Sequence, residues 1–109
     1  MSSRAERIAV LNDQLRNNLG KGHALITSGV AALGDHTVSQ ILKAVASFDE
    51  FCEDNDPHGE RDFGSLDVQG HSIFFKIDYY DLSMTMHSPD PADPNVTCRV
   101  MTLMLADEY

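Results

Sequence analysis

A chain of 109 residues in which 42% of the side chains are apolar can bury one hydrophobic core and is too short for two. The net charge of −9 is unevenly placed: residues 1–48 carry five basic and three acidic side chains (+2), whereas residues 49–109 carry three basic and fourteen acidic ones (−11). Because Lys and Arg contacts to phosphates supply most nucleic-acid affinity, this charge argues against direct binding to DNA or RNA and favours a basic protein surface as partner.

The sequence contains no membrane or export signal. No segment approaches the roughly 20 apolar residues of a membrane-spanning helix, and residues 1–19 lack the continuous apolar stretch of a signal peptide. Cys52 and Cys98 occur without CxxC or Cys/His spacing, so we expect unpaired thiols in a reducing compartment. These features predict a cytoplasmic protein with a single domain over residues 1–109 and no cofactor.

The first predicted helix begins at Ser3, because Glu6 three residues later completes a capping box. Gly20 is expected to end it. Its predicted buried stripe follows a spacing of three and four residues: Ile8, Leu11, Leu15 and Leu19. Residues 23–28, with the sequence HALITS, then predict a short strand.

A second helix is predicted after Gly34, with Asp35 or Thr37 as its N-cap. It has the clearest apolar periodicity in the chain: Val38, Ile41, Leu42, Val45 and Phe48. Residues 49–62 contain Pro57 and Gly59 and show no periodicity, so they predict an acidic loop.

Residues 63–68 and 73–80 predict a β-hairpin around Gln69 and Gly70, a dipeptide suited to a two-residue turn. In the second strand, alternation places two sets of side chains on opposite faces: Ile73, Phe75, Ile77 and Tyr79 on one, and Phe74, Lys76, Asp78 and Tyr80 on the other. Alternating apolar residues at 82, 84 and 86 predict a third strand of the meander.

The segment SPDPADP, residues 88–94, is predicted to be an extended connector. Asp93 and Pro94 then fit the N-cap and first position of a last helix, with four side chains facing inward: Val96, Val100, Leu103 and Met104. The element order is therefore α-β-α-β-β-β-α. It predicts a two-layer α+β fold in which three helices pack on a mostly antiparallel sheet of three to four strands.

The loop sequence DNDPHGERD, residues 54–62, is the strongest candidate for chemistry, since hard cations prefer several oxygen ligands from one flexible loop. It does not fit an EF-hand, because Pro57 and Ser65 occupy positions that the motif reserves for other residues. The weak metal candidates are Asp56, His58 and Asp62. In the alternative interpretation, Asp and Asn side chains only cap turns around Pro57 and Gly59.

A second group of polar residues consists of Lys76, Asp78 and Tyr80 on the predicted strand and Asp81 directly after it. If its face of the sheet is open, it can form a polar site with His58 beside the acidic loop; otherwise Lys76 forms a cross-strand ion pair. The candidate residues for partner binding or a polar site are Asp54, Asp56, His58, Glu60, Asp62, Lys76, Asp78, Tyr80 and Asp81. No catalytic residue is predicted, because no Ser or Cys has a recognisable base partner.

Four segments carry a family resemblance: ITSGVAALG (26–34), NDPHGERDFG (55–64), FFKIDYYD (74–81) and SPDPADPNVTCRVMTLMLADEY (88–109). Through them the chain resembles the bacterial domain-of-unknown-function family 3768, over about residues 8–109. The resemblance implies a small, soluble bacterial protein, often encoded near plasmid or mobile-element genes. It implies no activity that can be assigned to residues of this sequence.

The sequence favours a small acidic, non-enzymatic interaction module over an enzyme. Such a module would dock on a basic surface, and inhibition of a nucleic-acid-binding partner, by analogy with antirestriction and anti-CRISPR proteins, suits a mobile-element setting. The alternative is a small metal-binding protein or metal-assisted hydrolase that uses the DNDPHGERD loop. A third hypothesis is self-association through the exposed third strand, although the sequence specifies no oligomeric state.

Overall fold

A mixed four-stranded sheet with helices on one face forms the core of this computed structural model, which describes residues 3–17 and 23–109. The α+β prediction is confirmed. The elements in chain order are α1 (Arg4–Asn17), β1 (His23–Ile26), α2 (Ser28–Ala31), α3 (Asp35–Ser47), β2 (Phe63–Val68), β3 (His71–Tyr80), β4 (Cys98–Leu105) and a short 3-10 helix (Ala106–Glu108).

The strand order is β1-β4-β3-β2, so β4, close to the end of the chain, lies inside the sheet. β4 pairs in parallel with β1 and antiparallel with β3, and β2 pairs antiparallel with β3. The antiparallel register sets Tyr80 opposite Cys98 at one end of the sheet and Ile73 opposite Leu105 at the other. Among the described residues, no helix has the length and apolar character needed to cross a membrane.

The β2–β3 hairpin follows the sequence prediction, with the turn residues Gln69 and Gly70 at φ angles of 53° and 80°. Two consecutive positive φ angles give the turn the twist that antiparallel strands require. The alternation in β3 is also confirmed. The helix-facing side chains Ile73, Phe75, Ile77 and Tyr79 are buried, and those on the opposite face are only partly buried.

The opposite face of the sheet carries an aromatic cluster instead of a helix. The rings of Phe63 and Phe74 lie 5.2 Å apart, and Tyr109 packs on both at 5.7 and 5.5 Å. These edge-to-face contacts hold the end of the chain on the sheet. Lys76 and Asp78, on the same face, form an ion pair of 3.3 Å.

Helix α1 begins as predicted, because the Ser3 hydroxyl accepts a hydrogen bond of 3.1 Å from the Glu6 N–H. Its predicted apolar stripe is only partly correct. Ile8 is fully buried, but Leu11 and Leu15 are only partly buried. Two polar positions are covered instead: Asn12 is 0% exposed and Arg16 2%. Their hydrogen bonds to distant segments turn this face inward. Leu19 and Gly20 lie outside the described residues.

Helix α3 has the predicted extent, but its N-cap is Gly34 and neither Asp35 nor Thr37. Gly34 has a φ of 96°, which glycine adopts without strain. Its carbonyl accepts the first helical hydrogen bond, from the Val38 N–H at 3.0 Å. The predicted strand at residues 23–28 is shorter than expected, since Thr27 caps α2 by accepting a hydrogen bond from the Val30 N–H.

The predicted third strand at residues 82–86 is wrong, because these residues form a turn. The Asp81 carboxylate accepts hydrogen bonds from the backbone N–H groups of Thr85 and Met86, at 3.0 and 3.4 Å, so the chain bends back. Met84 has a φ of 58°, which a strand does not contain. The two edges of the sheet are therefore β1 and β2.

The predicted last helix is also wrong, since Cys98–Leu105 is the inner strand β4. Val100 and Met104 lie on one face and Leu103 on the other, yet all three are at most 5% exposed. A strand that is buried on both faces loses its alternating pattern, and its apolar residues then match helical spacing. Residues 88–94 contain turns and are not extended; Asp93 caps one of them by accepting a hydrogen bond from the Asn95 N–H.

The strand assignment can be tested at Met101, which is fully buried in β4 but was outside the predicted helical stripe. We expect Met101→Ala to lower the free energy of unfolding by about 2–5 kcal/mol, because it leaves a cavity in the core. Urea denaturation measures this loss. Thr102→Ala, on the other face and half-buried, is the control. Equal losses for the two variants would contradict the assignment.

Candidate functional site

The acidic loop, residues 49–62, is ordered by its own side chains. The Asn55 amide accepts a hydrogen bond from the Cys52 N–H and donates one to the Glu50 carbonyl, both at 2.8 Å. The Asp56 carboxylate accepts hydrogen bonds from the N–H groups of Glu60 and Arg61, at 3.1 and 3.0 Å. Asp56 therefore caps a turn within the loop.

A buried hydrogen-bond network centred on Asn12 lies beneath this loop. The Asn12 amide donates to the Tyr79 hydroxyl at 2.8 Å and to the Glu60 carbonyl at 2.9 Å. Tyr79 in turn donates to the Glu60 carboxylate at 3.0 Å. The Arg99 Nε donates to the Asn12 carbonyl oxygen at 3.0 Å. The network thereby joins α1, the acidic loop, β3 and β4.

Burial shifts the pKa of two members of this network. Burial raises the pKa of Tyr79, and the hydrogen bond from Asn12 only partly offsets the rise. Burial lowers the pKa of Arg99, and the negative charge of Glu60 opposes this. The Arg99 guanidinium lies 5.2 Å from the Tyr79 ring centroid and donates to the Pro91 carbonyl. These contacts stabilise the end of β3.

An open cleft of about 310 Å³ adjoins the network at this end of the sheet. We call it the acidic cleft, and its lining residues are Asp62, Ile77, Asp78, Tyr79, Tyr80 and His87. It exists because β3 extends past the start of β2. The Asp62 carbonyl accepts a hydrogen bond of 2.8 Å from the Ile77 N–H, and the chain returns to pair His87 with Tyr80.

Asp62 gives the acidic cleft its unusual electrostatic property. Burial raises the pKa of its carboxyl group above the ordinary 3.8, and the neighbouring charges of Glu60 and Asp56 raise it further. A hydrogen bond from its own backbone and the nearby His58 act in the opposite direction. Among the described residues, Asp62 has no ion-pair partner, whereas Asp78 on the other wall pairs with Lys76.

The structure brings together only some of the predicted site residues. Asp62, Asp78 and Tyr80 line the acidic cleft, Lys76 pairs with Asp78, and Asp81 organises the turn that follows. The other four remain in the loop: Asp54 and His58 are exposed, and Asp56 and Glu60 take part in its internal hydrogen bonds. Over residues 3–17 and 23–109, no three His, Cys, Asp or Glu side chains are grouped so that they could hold a metal ion.

The histidine that lines the cleft is His87 and not the predicted His58. Its ring packs edge-on against Tyr79, with 6.4 Å between the ring centroids. The roles of Asn12 and Arg99 were not predicted either, because their hydrogen-bond partners lie far away in the chain. The one available signal was the spacing of Asn12 from Ile8 and Arg16, which places it on the same helix face.

A second groove, of about 370 Å³, lies between the end of α3 and β2, and three acidic side chains line it: Asp49, Glu50 and Asp67. The ion pairs among the described residues use other acids, namely Asp13, Asp78 and Asp90. Asp49, Glu50, Glu53 and Asp54 are exposed. Negative charge near this groove is therefore left without a cationic partner in the part of the chain that the structure describes.

Comparison with known proteins identifies a family but no activity. A family model described as "Protein of unknown function (DUF3768)" matches residues 26–108. That span includes the acidic loop, the acidic cleft and the whole sheet except the first three of the four residues of β1. Searches of curated proteins and of solved structures found no match.

The buried network predicts different roles for two adjacent tyrosines. We expect Tyr79→Phe to lower the free energy of unfolding by about 1–3 kcal/mol, because it removes the partner of a buried amide and of the Glu60 carboxylate. Tyr80→Phe is the matched control, and its change is expected to stay within about 0.5 kcal/mol. Urea denaturation of both variants gives the comparison. A loss of the same size at both positions would rule out this role for Tyr79.

Asp62 predicts a pH-dependent change in stability. Because the folded state raises the pKa of Asp62, it binds the proton more tightly than the unfolded state, and stability falls as pH rises through the folded pKa. We therefore expect Asp62→Asn to raise the melting temperature at neutral pH, and this gain to vanish below pH 3.8, where both states are protonated.

Thermal denaturation at several pH values measures this difference. Asp107→Asn removes the same charge from an exposed position and corrects for the general relief of repulsion in an acidic protein. If the two variants gain equally at neutral pH, the burial of Asp62 has no energetic consequence.

Proposed function

Since the chain belongs to the DUF3768 family of proteins of unknown function, we propose a function from its geometry: it is a small acidic, non-enzymatic interaction module that docks on a basic surface of another protein. The observation that carries this proposal is the acidic cleft. There, the half-buried Asp62 carboxylate has no ion-pair partner among the described residues, although the cleft is open to solvent.

An Arg or Lys side chain of the partner would supply the missing charge. A carboxylate that burial has partly deprived of water gains more from a cation than an exposed one does, because the local dielectric is lower. The guanidinium of Arg also stacks on aromatic rings. Tyr80 and His87 line the same cleft as Asp62 and offer such rings. This combination favours Arg over Lys as the inserted side chain.

The remaining acidic surface supports the same proposal. Asp49, Glu50 and Asp67 line the second groove without an ion-pair partner among the described residues. Unpaired surface charge of one sign raises the rate at which an oppositely charged partner is encountered. The acidic cleft would then provide a specific contact, and the surrounding carboxylates would provide long-range attraction.

We propose that the partner is a nucleic-acid-binding protein in the bacterial cytoplasm and that docking inhibits it. A basic groove that holds a phosphate backbone is suited to an acidic domain. The two free cysteines, Cys52 and Cys98, fit a reducing compartment. The mobile-element setting, and with it the comparison to antirestriction and anti-CRISPR proteins, is part of the proposal.

The alternative, a metal-binding protein or metal-assisted hydrolase, has less support. The Asp56 carboxylate caps a turn, and His58 is exposed on the loop. A melting temperature that rises with millimolar Mg²⁺, Mn²⁺, Ca²⁺ or Zn²⁺, and no longer does so in His58→Ala, would favour this alternative.

The cleft can be tested directly with N-acetyl-arginine amide, which carries one guanidinium and no other charge. We expect it to bind with a dissociation constant on the order of millimolar and to shift the NMR signals of the cleft residues. Asp62→Asn should weaken this binding at least about fivefold, since it removes the carboxylate that no described cation neutralises. Asp107→Asn, at the opposite end of the sheet, should leave binding unchanged. Shifts that spread evenly over all surface acids would refute a specific site.

A further inference from the structure

A turn with three exposed apolar side chains follows β3 directly. We call residues 81–87 the apolar turn, in which Leu82 is 66% exposed, Met84 46% and Met86 71%. Single exposed apolar side chains are ordinary on protein surfaces. Here three of them lie within five residues of one turn, and a local concentration of exposed apolar side chains is typical of a surface that binds another molecule.

The apolar turn is held in one shape. The Asp81 carboxylate accepts hydrogen bonds from the Ser83 hydroxyl at 2.9 Å and from the Thr85 N–H at 3.0 Å. The Asp81 N–H donates to the Met86 carbonyl at 2.8 Å, which closes the turn. Met84 has a φ of 58°, a strained conformation for a non-glycine residue that persists only where the surrounding structure imposes it.

The apolar turn and the acidic cleft form one continuous surface. Tyr80 and His87 line the cleft, and they pair with each other at the two ends of the turn. Asp81 places a carboxylate within the turn itself, and Asp62 in the adjoining cleft has no ion-pair partner among the described residues. A partner that covers this surface must therefore combine an apolar depression with basic residues around it.

We propose that the apolar turn is the anchor of the interface and inserts into an apolar groove, bordered by Arg and Lys, on the basic partner. This proposal rests on the proposed function and adds the chemistry of the partner's surface. Leu82, Met84 and Met86 fill the groove while a cation from its border enters the acidic cleft. Because the turn is already ordered, little conformational entropy is lost on binding. Methionine side chains adapt to an irregular apolar surface.

The two parts of the surface have different expected effects on binding. Charge around the cleft mainly sets the rate of association, which falls with added salt. Apolar side chains buried in a groove mainly slow dissociation, and this contribution persists in high salt. Removing the apolar side chains should therefore weaken binding at every salt concentration, whereas removing cleft carboxylates should weaken it mainly at low salt.

The experiment uses the full chain with the photo-reactive amino acid benzoylphenylalanine at position 86, expressed in the organism that encodes it. The control carries the same group at position 107, which is exposed at the opposite end of the sheet. We expect an adduct with one protein from position 86 and at least fivefold less from position 107. The peptide cross-linked in that protein should be apolar and flanked by Lys or Arg, as mass spectrometry will show.

Two further variants separate this proposal from the function on which it rests. Combining Asp62→Asn and Asp78→Asn with the photo-reactive group should reduce the adduct at least fivefold, because one partner contacts both features. With the purified partner, Leu82→Ser combined with Met86→Ser should weaken binding at least tenfold in both low and high salt. Both serines replace exposed side chains, so the fold is expected to be retained, and an unchanged melting temperature will show this.

Each other outcome has a defined meaning. If a partner binds through the acidic cleft but gives no adduct from position 86, the anchor is refuted and the proposed function stands. If the adduct is a second copy of this chain, or is unaffected by the cleft variants, the anchor is also refuted. If the immobilised chain retains no basic protein from a cell lysate at low ionic strength, the proposed function fails and the anchor fails with it.

Discussion

The buried amide of Asn12 is the interaction on which the functional end of the molecule depends. It is fully buried on α1 and joins the Glu60 carbonyl, the Tyr79 hydroxyl and the Arg99 guanidinium. A buried polar group left without partners costs about 1–3 kcal/mol, so the three segments are held at fixed positions around it. The shape of the acidic cleft depends on this arrangement, because Tyr79 forms part of the cleft wall and Glu60 lies two residues before Asp62.

A second buried polar residue, Arg16, connects α1 to α3. Its guanidinium donates to the carbonyls of Val45 and Phe48 at 3.0 and 2.7 Å, which satisfies the end of α3, where a cation is also favoured by the helix dipole. The same guanidinium pairs with Asp13, and Asp13 pairs with Arg61 of the acidic loop at 2.9 Å. Helix α1 thus holds both the helical layer and the loop through polar contacts, in addition to the contribution of Ile8 to the apolar core that α3 forms with the sheet.

The sequence predicts those elements whose signal lies within the element itself. The hairpin turn and the stripe of α3 are of this kind, and both agree with the structure. The inward direction of Asn12 depends on Tyr79, 67 residues later, and no local pattern contains that information. Two predictions at the site were wrong for one reason: the strand over residues 82–86, and His58 as the histidine of the site. A strand over residues 82–86 would carry His87 away from Tyr80, so only the turn organised by Asp81 brings a histidine to the cleft.

The charge distribution connects stability with the proposed function. Exposed carboxylates such as Asp49 and Glu50 remain hydrated, so the lack of an ion pair to any described residue costs little. Asp62 differs because it is half-buried and still lacks an ion-pair partner among the described residues, which destabilises the folded state at neutral pH. A local departure from the stable arrangement is typical of a functional site. A cation that enters the cleft removes this destabilisation. The free energy by which the Asp62 carboxylate destabilises the folded state therefore contributes to the binding of that cation.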